Sequence, residues 1–226
     1  MARHAPMTDE SRQEPAEELS ASELRARDCY RLMTDLVAPR PIAWVSTLSA
    51  DGRGNLAPFS YYQAVCSLPP TIVISVGWLG DGRPKDTLAN ILETRELTIS
   101  HVSEPFAEAM NATSASLPRG ESEWARYDIA ASPAHSVAPP RVAGAIAGLE
   151  CRLTQAIPLG QTARGTPSST LLIAEVQHFW VAAGLLQRDE RGSLLPMDPA
   201  ALAALSRLGG VAYAPVREVL ELERPS

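Results

Sequence analysis

Residues 39–76 read PRPIAWVSTLSADGRGNLAPFSYYQAVCSLPPTIVISV. Two prolines close whatever helix precedes them, since a ring-locked φ and a missing N–H cannot continue an α-helix. The run Ile42 to Leu48 then alternates with a period of two, which puts Ile42, Trp44, Ser46 and Leu48 on one face of a strand. Asp51-Gly52-Arg53-Gly54 is turn chemistry, and Asn55 to Tyr62 is expected to return as the hairpin partner. After Pro69-Pro70, Thr71 to Val76 is a near-continuous apolar run, the pattern of a strand covered on both sides.

Working outward, Ser20 and Glu23 have capping-box spacing, and Ala26, Cys29, Tyr30, Met33 and Val37 recur at three- and four-residue steps. An amphipathic helix is predicted over about 21 to 37, behind a polar, mobile tail at 1–19. Lys85-Asp86-Thr87 opens a short helix, Leu97 to Val102 alternates as a strand, and Glu104 to about Ala112 reads as another helix. Residues 113 to 145, rich in Pro, Ser and Ala, form a long excursion of the kind that is functional or flexible. Strands resume at Leu149 to Ile157 and Thr170 to Val181, joined by a loop at Gly160 to Pro167, and a last helix is expected at Pro199 to Arg207 before Gly209-Gly210. No repeat and no strand-helix alternation of the parallel type is present. A single mainly β domain over 20–226, an antiparallel barrel with flanking helices, fits this pattern.

The chain of 226 residues carries 20 Lys and Arg against 26 Asp and Glu, a net charge of −6, which argues against general affinity for nucleic acid or an anionic membrane. No apolar stretch approaches the ~18 residues of a spanning helix, and no secretory signal is expected. The 3 cysteines, Cys29, Cys66 and Cys151, form no C-x-x-C pair, so a reducing cytoplasm is the simplest setting. The 4 histidines, His4, His101, His135 and His178, lack metal-ligand spacing, so no metal site is predicted. Gly77, Gly80 and Gly82 do not make a dinucleotide fingerprint, and neither a P-loop nor a nucleophile elbow is present.

What remains centres on Lys85, the single lysine of the chain. Its charge, the Thr87 hydroxyl and the free N–H groups of the helix start behind them are the parts of a phosphate seat. Asp86 is awkward there and reads as a cap or as the partner that orients Lys85; a solvated helix start explains the same three residues. The strand end Ser46-Thr47 adds hydroxyls, and residues 60 to 67, Ser-Tyr-Tyr-Gln-Ala-Val-Cys-Ser, add backbone and small side chains that suit the edge of a flat heteroaromatic ring.

Five collinear segments, residues 39–76 together with KDTLANI, LECRLTQAIPLG, TLLIAEVQHFWV and RLGGVAY, resemble the flavin reductase-like, FMN-binding split-barrel family, in its flavin reductase and flavoredoxin branch. The resemblance implies a six-stranded Greek-key split barrel, a homodimer and non-covalently bound FMN. It further implies an oxidoreductase that accepts hydride from NAD(P)H and passes electrons to free flavin, a monooxygenase or another acceptor; a flavoredoxin-like electron carrier reduced by a protein partner is the alternative. Position by position, Ser46, Thr47 and Leu48 with Lys85, Asp86 and Thr87 resemble the phosphate and ribityl contacts, and Ser60, Tyr61, Tyr62, Ala64 and Cys66 the ring-lining segment. Ser or Thr is usual where Ala64 and Cys66 stand, which leaves backbone contacts at those two places. No catalytic side chain is implied, because the flavin carries the chemistry.

Other features have simpler readings. Cys66 is expected as a small, partly buried residue and not a redox thiol. His178 could approach the flavin or nicotinamide, against a satisfied core or interface histidine. Trp44 and Trp180 read as core or dimer contacts, and the Trp124 to Tyr127 patch as helix packing, against a cover over a substrate mouth. Arg40 is either an anion contact or a surface cation.

Overall fold

The computed structural model describes residues 16–118 and 120–223, so most of the 1–19 tail lies outside the described residues. Helix α1 spans Ala26–Leu36, later than the capping-box spacing predicted. The Ser20 hydroxyl bonds Ser22 instead of a helix N–H, and residues 20–23 close a separate turn through Glu23 N–H to Ser20 C=O at 3.0 Å. The helix begins where Asp28 joins its first turn and pairs with Arg25 at 2.7 Å, a carboxylate at the positive end of the dipole. It is followed by β1 (Arg40–Pro41), β2 (Ala43–Leu48), β3 (Gly54–Phe59), β4 (Tyr62–Ser67), β5 (Pro70–Gly77), α2 (Asp86–Thr94) and β6 (Glu96–His101). A 3₁₀ turn at Glu104–Phe106 leads into α3 (Ala107–Ala112), and the excursion holds α4 (Glu123–Arg126), β7 (Ala131–Ser132) and β8 (Arg141–Val142). The long strands β9 (Ala147–Leu159) and β10 (Ser169–Val181) precede α5 (Pro199–Leu202), β11 (Leu205–Arg207) and β12 (Tyr213–Pro215).

The main sheet has 7 strands in the order β3-β2-β6-β9-β10-β5-β4, with every neighbour antiparallel. Its two edge strands, β3 and β4, are separated in sequence only by Ser60 and Tyr61. Three Cα steps reach at most ~11 Å, whereas the edges of a flat sheet of this width would stand ~29 Å apart. The sheet is therefore rolled until its edges meet. Ser75 N–H donates to Tyr61 C=O at 2.8 Å, so the ladder continues across the corner. Counting β3 and β4 as one bent strand leaves six, the split barrel that the resemblance implies. The bend also corrects the expected Asn55 to Tyr62 partner strand, because β3 ends at Phe59 and Tyr62 already pairs with Ile74 of β5.

Alternation builds two cores. Ala43 and Val45 point into the barrel with Ile74, Val76, Ile99, Leu172 and Val176, and α2 plugs one end of it with Leu88 and Ile91. Ile42 and Trp44 point outward, under α3 and α4, with Leu56, Met110, Val142 and Leu205. Both faces of β2 are thus buried, while β5 buries only Ile72, Ile74 and Val76 fully; two-sided burial was expected of β5 and belongs to β2. The predicted Pro199 to Arg207 helix stops at Leu202, where Ala203 turns left-handed, and Leu205–Arg207 instead pairs with β1 and β12. Tertiary pairing overrides the helix propensity of the Ala and Leu run, since β1 offers an open edge and Leu205 reaches the outer core.

The excursion is tied down by one carboxylate. Glu150 on β9 is fully buried and accepts from His135 N–H at 2.9 Å, from Ser136 N–H and Oγ, and from the Arg141 guanidinium, which stacks on the Trp180 ring. Gly148 lies flat against that ring, where any Cβ would overlap it and the Ile99 carbonyl. Burial opposes ionisation of Glu150, but the His135, Ser136 and Arg141 hydrogen bonds outweigh it and hold the acid at about 2. A folded value below the usual 4.5 means stability that is fully present above that value and is lost as pH falls through about 2. Glu150→Gln should cost about 3–5 kcal/mol in urea unfolding at neutral pH, with the deficit shrinking between about pH 4.5 and 2; a pH-independent deficit would contradict it.

Candidate functional site

The site is built where the end of β2, the start of β3 and the start of α2 converge. Asn55 Nδ2 donates to Thr87 Oγ1 at 2.8 Å and, more weakly, to Thr47 Oγ1 at 3.4 Å, and Asn90 Nδ2 donates to Thr47 Oγ1 at 3.0 Å. These four side chains bind three backbone elements into one polar chain. Thr87 has its oxygen engaged as an acceptor, so its own O–H remains free to donate. Lys85 is the N-cap of α2, extended in backbone and exposed, and no side chain caps the helix. The first-turn N–H groups and the dipole's positive end are left for a ligand. The Lys85 ammonium stands 6.0 Å from the Phe59 ring centroid and, among the described residues, pairs with no carboxylate.

These groups open on a groove of about 240 Å³ lined by Asn55, Ala57, Pro58 and Phe59 of β3, by Leu79, by Lys85, Asp86 and Thr87, by residues 113–117, and by Glu123. That is below the ~300–1,000 Å³ of sites that bury a whole drug-sized ligand, so the groove suits one end of an extended molecule. A hydroxyl donor, an ammonium and an uncapped helix start suit an anionic end.

Thr47, Lys85, Asp86 and Thr87 are brought together here. Ser46 is not: the alternation of β2 turns it to the Trp44 side, fully buried, and its Oγ has no partner. Leu48 closes β2 opposite Gly54 and lines none of the cavities described. Ser60 Oγ accepts from Arg40 Nε at 3.4 Å at the barrel corner. Tyr61 is exposed beside α1; partial burial, then the nearby Tyr30, raise its phenol. Tyr62 points into a second, apolar cavity with His101, Trp180 and Met197, and burial pushes its phenol up to about 12. Ala64 and Cys66 are exposed on β4, on either side of a bulge, with the Cys66 thiol donating to Leu68 C=O at 3.4 Å. Cys66 was expected to be partly buried, but β4 is an uncovered edge of this chain.

Other candidates resolve as structure. Arg40 is buried and donates to the backbone carbonyls of Thr34, Val37 and Leu208, capping α1 and holding the C-terminal segment. His178 stacks on His135 with ring centroids 4.3 Å apart, away from the groove. Trp124 packs on Gly54. Asn55, Asn90 and Glu123 were not anticipated from sequence; the readable signal was a polar amide in a strand and another in a helix interior, positions that demand a partner.

Known proteins provide the comparison. Residues 36–196 match the flavin reductase like domain family. An uncharacterised protein of Halalkalibacterium halodurans is 39% identical over 208 residues, covering 92% of this chain and 96% of its own length. Among solved structures, nitrilotriacetate monooxygenase component B of Bacillus cereus superposes with a TM-score of 0.84 at 34% identity, over 92% of this chain and 100% of that one. The 2-nitrobenzoate 2-nitroreductase of Pseudomonas fluorescens does so at 0.80 with 27% identity, over 93% and 97%. The chain belongs to the flavin reductase-like family.

The polar chain predicts that Asn55→Ala lowers unfolding free energy by about 1–3 kcal/mol in denaturant titration, because Thr47 and Thr87 lose a shared donor. No change would mean that the chain does not hold α2 to the barrel.

Proposed function

We propose that this member of the flavin reductase-like family is an FMN-dependent oxidoreductase whose phosphate seat is the start of α2. The observation that carries the reading is the convergence on one groove of an uncapped nine-residue helix, Lys85, which pairs with no carboxylate among the described residues, and the free hydroxyl proton of Thr87. Lys85 and the first-turn N–H groups meet the phosphate, and Thr87, held by Asn55, fixes its position. Thr47 acts through Asn55 and does not touch the ligand. The corner at Ser60 and Tyr61, with the backbone of Tyr62, Ala64 and Cys66, lines the ring beyond the groove. The redox chemistry, hydride acceptance from NAD(P)H and onward delivery of electrons to free flavin, a monooxygenase or another acceptor, resides in the bound flavin. The similarity to a monooxygenase component and to a nitroreductase supports a reductase role.

A homodimer belongs to this reading. Helix α1 and its C-cap expose Tyr30, Met33 and Val37, and β4 with its turn exposes Val65 and Leu68, an amount of apolar surface that a second copy would cover. The three cysteines are free, in keeping with a reducing cytoplasm. Among the described residues no helix is long and apolar enough to cross a membrane.

The reductase step is tested by loading the purified protein with FMN and adding NADH or NADPH without oxygen. Loss of flavin absorbance with at least one donor is expected; binding of FMN without bleaching by either would overturn it in favour of reduction by a protein partner. Lys85→Ala should weaken FMN about tenfold, ~1.4 kcal/mol, and leave riboflavin affinity unchanged. Equal losses for both ligands would remove the lysine from the phosphate.

A further inference from the structure

The groove is lined by a carboxylate, Glu123, as well as by the Lys85 cation. Glu123 comes from α4, within the 113–145 excursion, and is 7% exposed. Its Oε2 accepts the Leu56 N–H of β3 at 3.0 Å. Glu123 is one of the residues that line the groove, and among the described residues no side chain bonds its other oxygen. No described cation pairs with it.

Among the described residues, the surroundings leave its charge uncompensated. β3, running Gly54–Phe59, presents the Leu56 N–H and no charged side chain, and residues 113–117 bring none. From α2 come Lys85, at the groove's seat, and Asp86, a second carboxylate; α4 itself adds Arg126, exposed. Burial pushes the Glu123 acid above the usual carboxylate range, the Leu56 N–H and the backbone N–H of Glu123 offset part of that, and Asp86 adds to it. A phosphate entering the same groove is a third like charge, and neighbouring anions that cannot be separated resolve their repulsion by binding a proton.

We propose that Glu123 takes up one proton from solvent when a phosphate-bearing ligand enters the groove, so that it meets the ligand as an O–H donor instead of a repelling carboxylate. This rests on the reading that the groove takes the FMN phosphate. Glu123 is then a proton-linked binding residue: it makes affinity for the phosphorylated ligand fall as pH rises, and it leaves a ligand without phosphate unaffected. The proton settles on the oxygen other than Oε2, since Oε2 remains the acceptor for Leu56 N–H.

The test is titration calorimetry of the wild type, Glu123→Gln and Asp86→Asn with FMN and with riboflavin, in buffers of unlike ionisation heat, between about pH 6 and 8. The Gln side chain keeps an oxygen for the Leu56 N–H, and thermal melts check that it folds. Wild type should take up close to one more proton than Glu123→Gln on binding FMN; this comparison cancels the ionisation of the phosphate itself. Its FMN affinity should fall up to about tenfold per pH unit more steeply than that of the variant, which should bind FMN at least as tightly at pH ~8. Asp86→Asn should retain the uptake, and riboflavin should show none in any variant. Equal uptake in wild type and Glu123→Gln, uptake lost in Asp86→Asn instead, or weaker FMN binding by Glu123→Gln at every pH would overturn the proposal. If Lys85→Ala still separates FMN from riboflavin in that case, the phosphate seat stands and only the role of Glu123 falls.

Discussion

The short corner at Ser60 and Tyr61 constrains everything else. Because β3 and β4 sit at opposite edges of the sheet yet are joined by two residues, the sheet has no choice but to roll, and the Tyr61 carbonyl carries the ladder through the bend. Rolling gives the barrel an inside for Val45, Ile74, Ile99 and Leu172, and leaves an open end that α2 fills with Leu88 and Ile91. The plug brings the first turn of α2 against β3. The groove is a consequence of that contact, lying where the bent strand leaves the ladder and the helix begins.

Burial divides the polar residues of this region by task. Thr47, Thr87 and Asn90 are inside, tied together through the Asn55 and Asn90 amides, and they hold the helix start in register with the strands while the Thr87 O–H stays free to donate. Lys85 and Asp86 are outside and free to meet a ligand. A net charge of −6 with one uncompensated local cation suits a single small anion better than a polyanion. Glu150 plays the corresponding part for the excursion: with its hydrogen bonds to His135, Ser136 and Arg141 it pins the segment to β9, and the same excursion delivers residues 113–117 and Glu123 to the groove.

Much of this could be read in the residues. Alternation in Ile42 to Leu48, the turn at 51–54 and the helix behind Lys85 are local signals, and each element stands within a residue or two of its expected place. The failures have a common cause in tertiary partners. Ala and Leu at 199–207 favour a helix until β1 offers an edge, and Ser20 with Glu23 has capping spacing but caps no helix. A strand broken at residue 60 and shared between two edges has no local signature, because its break is forced by closure. In the site, Lys85 and Thr87 were visible as a cation and a hydroxyl at a helix start. Asn55, Asn90 and Glu123 were not, since what distinguishes them is the company that the barrel gives them.

The measurement that bears most directly on the phosphate seat is a titration of isotope-labelled protein with FMN, followed by the backbone amide resonances of Asp86, Thr87 and Leu88, with riboflavin as the control. The account predicts large shifts of those three amides with FMN, as the uncapped first turn of α2 takes up the phosphate, and small ones with riboflavin. Shifts confined to the apolar cavity around Tyr62, His101 and Trp180, with the α2 amides unmoved by FMN, would contradict it.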